Sequence, residues 1–141
     1  NQIHEHGHSI GLHSYSHPRF IGKSRQFILS EITKTQNTIR KIINKQASFF
    51  RPPYGQFTPQ MLRICKQLNM QVVMWTVMSY DFHLKHSNDR IIQKMIKFSK
   101  PGTIHVFHDG HQNSHRTVEI LPQIIEFYNN HTLKLTSLSC S

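Results

Sequence analysis

The chain is short of acid. Its 141 residues hold 7 Asp and Glu against 17 Lys and Arg, a formal net charge of +10. No aspartate precedes Asp81, and Glu5 and Glu31 are the only acids before it. Cysteine is scarce too. Cys65 and Cys140 are too few for a disulfide framework, and Cys65, inside an amphipathic pattern, reads as a small buried hydrophobe. No apolar run approaches the ~20 residues of a membrane span, and no signal peptide is visible. No repeat, low-complexity tract or Gly/Ser/Pro linker interrupts the chain, so residues 1–141 read as one domain able to bury a core. Lys and Arg are scattered, mildly concentrated at Arg40, Lys41 and Lys45. No basic run is interleaved with aromatics, and nucleic acid is not the expected partner. The chain starts at Asn1, inside a strongly patterned segment, and is expected to be the N-terminally truncated part of something longer.

Histidine is what the chain has in quantity, with 12 residues. His13 and His17 stand four apart, so on a helical turn both imidazoles share a face and can address one ion. Neutral imidazole suits zinc and neighbouring metals, although surface or core histidines at this spacing also arise by chance. His4, His6 and His8 alternate, as a metal tract would, but a helix end closing at Gly7 accounts for them better.

Periodicity predicts alternating strands and helices. Strands are expected at Ser9–Leu12, Ala47–Phe50, the near-continuous apolar run Gln71–Val77, Thr103–Phe107 and Thr132–Leu138. Helices are expected near Arg25–Asn44 after a Ser24 cap, Thr58–Leu68, Asn88–Phe98 and Thr117–Tyr128. In the second of these, Met61, Leu62, Cys65 and Leu68 should face inward. Pro122 is tolerable only near the first turns of the last helix. The order implies an α/β fold with a parallel sheet covered by helices, open or closed as a barrel. Ligands then bind at the carboxyl ends of strands, and the unusual clusters sit there: His13/His17, Arg51–Tyr54, Asp81/Phe82 and His108/Asp109.

These clusters carry a resemblance. Gly7-His8-Ser9-Ile10-Gly11-Leu12-His13-Ser14-Tyr15-Ser16-His17 is similar to the second motif of the polysaccharide deacetylases, the NodB-homology domain of carbohydrate esterase family four. Phe50-Arg51-Pro52-Pro53-Tyr54-Gly55 resembles the third motif, Trp75 through Asp81-Phe82 the fourth, and Val106-Phe107-His108-Asp109-Gly110 the fifth. The resemblance implies a distorted (β/α) barrel holding a divalent metal, usually zinc. It also implies removal of acetyl groups from N-acetylated polysaccharides or oligosaccharides such as chitin or peptidoglycan, at the cell surface or outside the cell. His13 and His17 would be metal ligands, His108 the general acid, and the Tyr54 N–H an oxyanion donor. Arg51 would hold a catalytic carboxylate, or else pair with a surface acid. Trp75, Asp81, Phe82 and Phe107 would make the substrate side, with Trp75 and Tyr54 open to a plain core role. Asp81 would otherwise orient a partner or cap its loop.

The sequence departs from the family in two places. The first motif, a Thr-Phe-Asp-Asp stretch supplying the general base and the third metal ligand, is absent. A two-histidine site would hold metal more weakly than a triad. In the fourth motif Met78 stands where many members have an Asp thought to support the catalytic histidine, and Phe82 where a second tryptophan is common. A truncated, inactive relative acting as a glycan- or partner-binding module is therefore the alternative.

Overall fold

A computed structural model describes residues 2–139. Cys140 lies outside them. The chain folds as two compact units, residues 2–74 with 137–139, and Trp75–Thr136.

The first unit opens with α1 (Gln2–Glu5), which holds His4 and is followed by a turn at Gly7 with φ +80. That is the helix stop expected there. β1 (Gly11–Leu12), β2 (Phe49–Phe50) and β3 (Gln71–Val72) form a parallel sheet in that order, with Leu12 opposite Phe50 and Phe50 opposite Val72. Gly11 lies close to β2: a Cβ there would stand 3.3 Å from the Cβ of Phe49, a tight contact. Between β1 and β2 runs α2 (Arg25–Ile43), capped by Ser24, which accepts from the Phe27 N–H, and closed by Asn44 at φ +52. The Gln36 side chain brackets Ala47, accepting its N–H and donating to its carbonyl. α3 (Pro59–Gln67) starts on Thr58 and a first-turn proline. Leu12, Phe20, Ile28, Ile32, Phe50 and Met61 make the centre of this unit's core.

The second unit pairs β4 (Val77–Met78) with β5 (His105–Val106), again parallel. α4 (Asn88–Lys97), capped by Ser87, packs on α5 (His115–Asn129). Val77, Ile91, Met95, Ile120 and Ile124 fill its core.

The parallel α/β class is the one the alternation implies, but four expectations need correcting. The apolar run over 71–77 is not one strand. Val73 N–H still bonds to Phe50 O in the first sheet, whereas Thr76 and Val77 both donate to Ile104 O in the second. The backbone thus changes partner inside the run. Residues 132–138 form no strand; Ser137 and Leu138 instead take side-chain-to-backbone bonds with Gly7 and Ser9. Leu62 and Leu68 are each 40% exposed, because Ile64 takes the buried position beside Cys65. Pro122 sits well inside α5. The carbonyl it orphans, that of Val118, belongs to a residue 73% exposed, so the break falls on the solvent face.

Candidate functional site

In the first unit, the pairing of β1 with β2 brings the two strand ends together: Arg51 N–H donates to Leu12 O. His13 leaves β1 next to Arg51, and its Nδ1 donates to the Arg51 carbonyl at 2.7 Å. With Nδ1 the donor, Nε2 carries the lone pair. The chain then turns back sharply. Ser14 and His17 both adopt left-handed backbone, φ +64 and +54, a conformation that costs a non-glycine residue about 1–3 kcal/mol. Three hydrogen bonds hold the loop. Ser14 Oγ accepts from His17 N–H at 3.0 Å, and Glu31 Oε2 accepts from Tyr15 N–H at 3.0 Å and Ser16 N–H at 2.8 Å.

The result is that His13 Nε2 and His17 Nε2 lie 3.2 Å apart. At that distance His17 Nε2–H can donate to the lone pair of His13 Nε2, or, with both nitrogens deprotonated, a cation can sit between them. Two Zn–N bonds of about 2.0–2.1 Å at a near-tetrahedral angle would separate the nitrogens by roughly 3.3 Å. The pair therefore fits half of a zinc coordination sphere. Among the described residues no cluster of three or more His, Cys, Asp or Glu completes it. Tyr54, also left-handed at φ +57, packs edge-on against His17 with centroids 4.7 Å apart, and the Arg19 guanidinium lies 4.6 Å over its ring. The Arg51 side chain donates from Nε to Val73 O. No acid stands within ion-pair distance of it among the described residues. Burial pulls its guanidinium pKa down.

In the second unit, Met78 and Val106 are register partners, so the segments leaving β4 and β5 run side by side. Asp81 is fully buried there. Its Oδ1 accepts from Ser79 Oγ and His108 Nδ1, both at 2.7 Å, and its Oδ2 from His108 N–H at 2.7 Å and Thr117 Oγ1 at 2.6 Å. Burial alone would raise the Asp81 pKa. The donors from His108, Thr117 and Ser79 outweigh it and hold the carboxyl well below the usual carboxylate range. An ionised carboxylate only accepts, so His108 Nδ1 is the donor and Nε2 is left as the nitrogen that can exchange a proton. One third of the His108 side chain is exposed. Phe82 stands edge-on to it at 4.8 Å, 40% exposed. Buried Arg116 secures the loop between, donating to the carbonyls of Asp81, His83 and His86 and to Asn88 Oδ1.

The polysaccharide deacetylase family model matches residues 1–73, just over half the chain. The chain belongs to that family. Peptidoglycan-N-acetylmuramic acid deacetylase PdaA of Bacillus subtilis is 33% identical over 105 residues, covering 72% of this chain and 40% of the relative. A solved peptidoglycan N-acetylglucosamine deacetylase, complexed with a hydroxamic acid, superposes with a TM-score of 0.90 at 27% identity, over 97% of this chain and 64% of that one. A family four pseudoenzyme from Bacillus anthracis superposes at 0.84 and 27% identity, over 94% and 46%. The chain thus spans less than half the length of the curated relative and under two thirds of the solved enzyme.

Within this family frame, the residues singled out by sequence fall into two groups. His13, His17, Arg51 and Tyr54 come together in the first unit; Asp81, Phe82 and His108 come together in the second. Phe107 packs against the second unit's core, and Trp75 lies half-buried ahead of β4. Asp81, placed by sequence on the substrate side, has no exposed surface and is instead the partner of His108. It supplies the support that Met78 cannot. Glu31, Ser79, Arg116 and Thr117 escaped sequence reading. Glu31 had a signal: it is the one acid in α2 and follows Ile28 by three residues, on the apolar stripe.

Proposed function

We propose that this chain carries the metal-ligating and proton-donating residues of a polysaccharide N-deacetylase acting on amino-sugar polymers of the chitin or peptidoglycan kind, at the cell wall or outside the cell. The observation that carries the proposal is the 3.2 Å approach of the two Nε2 atoms, with the His13 tautomer set by the Arg51 carbonyl.

His13 and His17 would hold a divalent ion, zinc before others. When bound, such an ion supplies Lewis-acid polarisation of the acetamide carbonyl and acidifies water. The chain's own groups account for the rest of what it contributes. Water adds to the acetyl carbon, and the Tyr54 N–H, set by the Pro52-Pro53 turn, donates to the oxygen that gains charge. The C–N bond breaks as His108 Nε2 gives its proton to the departing sugar nitrogen, leaving acetate and a free amine. Asp81 stays ionised and stabilises the imidazolium until that transfer. No aspartate precedes Asp81, so the base that the family places in its first motif is not among these residues.

Two measurements test this. Zinc should bind the chain and be lost in His13→Ala. A longer protein that adds the family's Asp-Asp motif should release acetate from chitin oligomers or peptidoglycan. Failure of acetate release with zinc bound would sink the enzymatic reading.

A second reading is a glycan-binding module without turnover. The likeness to a pseudoenzyme and the absence of a third ligand among the described residues favour it. It predicts retention on chitin oligomers with no acetate released by any version of the protein.

A further inference from the structure

Glu31 is an anomaly in the first unit. It is 5% exposed, and its neighbours in α2, Ile28 and Ile32, are core residues. A carboxylate in such a place needs compensation, usually an ion pair. Among the described residues no Lys, Arg or His stands within ion-pair distance of it. Its hydrogen-bonding partners are two backbone N–H groups, those of Tyr15 and Ser16, both taken by one oxygen, Oε2. Those two residues lie between His13 and His17.

The bonds matter because the loop they hold is unfavourable on its own. Ser14 and His17 are both left-handed, and among the described residues the one other tie from the backbone of the 14–17 segment is the local Ser14–His17 bond. If Tyr15 and Ser16 relaxed, His17 would leave the position that sets its Nε2 at 3.2 Å from that of His13. From this arrangement we infer that Glu31 is a positioning residue for the two-histidine half-site: it preorganises the loop through an acceptor oxygen and does not ligate the ion. This rests on the metal reading of His13 and His17.

The test is zinc affinity of the full 141-residue chain, by competition with a chromophoric chelator, together with the visible spectrum of the cobalt(II) form. Glu31→Ala should remain folded and bind zinc 10–100-fold more weakly, the loss typical of removing a group that orients a ligand. Its cobalt spectrum should move toward that of the hydrated ion. Glu31→Gln should stay within about threefold of wild type, because an amide oxygen still accepts both N–H groups. A folded Glu31→Ala that binds as wild type does would overturn the inference. So would a Gln variant as weak as the Ala variant, since charge and not the acceptor would then be the cause. If Glu31→Ala does not fold, Glu31→Asp decides: it keeps the charge and withdraws the oxygen by one methylene, and weaker binding supports the inference while unchanged binding overturns it. His13→Ala, run alongside, separates the two readings. If wild type takes up no zinc, the metal reading falls and the positioning role falls with it. If wild type binds through His13 and Glu31→Ala binds equally, the positioning role alone falls.

Discussion

Asp81→Asn keeps the side chain's volume but puts an N–H₂ where one carboxylate oxygen accepted two hydrogen bonds. Two donors among Ser79, His108 and Thr117 are then left facing another donor in a buried site. We expect a loss of roughly 2–4 kcal/mol in urea unfolding. The pH dependence follows from the sign of the shift. A carboxyl whose folded pKa lies below its unfolded value of about 3.9 stabilises fully above that value and loses the contribution as pH falls toward the folded pKa. Wild type should therefore weaken steeply below about pH 4, and Asp81→Asn should flatten that acid limb. On the proposed metal role of the histidine pair, His13→Ala or His17→Ala would remove one of two ligands. Zinc affinity should fall by at least about two orders of magnitude, beyond the range typical of an outer-shell loss. Cys65 is buried and its thiol is pushed up to about 11, so it should resist alkylation at neutral pH until the chain unfolds.

At the scale of elements, the two units rely on short ladders and long helices. Gly11→Ala places a Cβ 3.3 Å from Phe49 and should cost about 1–3 kcal/mol in thermal or urea unfolding, since the β1–β2 pair must spread. Arg116→Lys should be no mild change. One ammonium cannot reach the carbonyls of Asp81, His83 and His86 together with Asn88, so amides of residues 81–88 should exchange faster while α2 and α3 do not. The helices were legible in sequence because Ser24 and Thr58 announce two of them locally and the apolar stripe repeats every turn; the Ser87 cap of α4 was not read there. The strands were less so. Apolar content in 71–77 says nothing about which neighbour each N–H finds, and the run divides between Phe50 and Ile104 as partners. The alternation over 132–138 failed for the same reason, since a strand exists only where a partner edge accepts it. The histidines of the candidate site were visible as motifs. Their supports were not, because Asp81 meets His108 across 27 positions and Glu31 meets Ser16 across 15.

For the molecule as a whole, the shortage of acid is uneven. Residues 1–74 carry ten Lys and Arg against two acids, one of them the buried Glu31, whereas residues 75–136 carry seven against five. Among the described residues, His108–Asp81 is the one ion pair. The cations of the first unit are therefore not neutralised internally. Adsorption to an anionic polymer should be measurable at low ionic strength and should weaken steeply between about 50 and 200 mM salt. His13→Ala should leave that adsorption unchanged, which separates it from metal binding. No helix among the described residues is long and apolar enough to cross a membrane.

The left-handed residues of the histidine loop have a consequence for protein engineering. A designer who grafts the five-residue segment His13–His17 onto another scaffold would transfer the two imidazoles without their geometry. Tyr15 and Ser16 are held by an acid on a packed helix and Ser14 and His17 by their own short side-chain tie, while the ring of His13 is aimed by a carbonyl at a neighbouring strand end. A transplant that works must carry all three supports, which lie 18 and 38 positions away from His13 or within the loop itself. The smallest portable form of this half-site is a strand pair with its crossover helix, not a peptide.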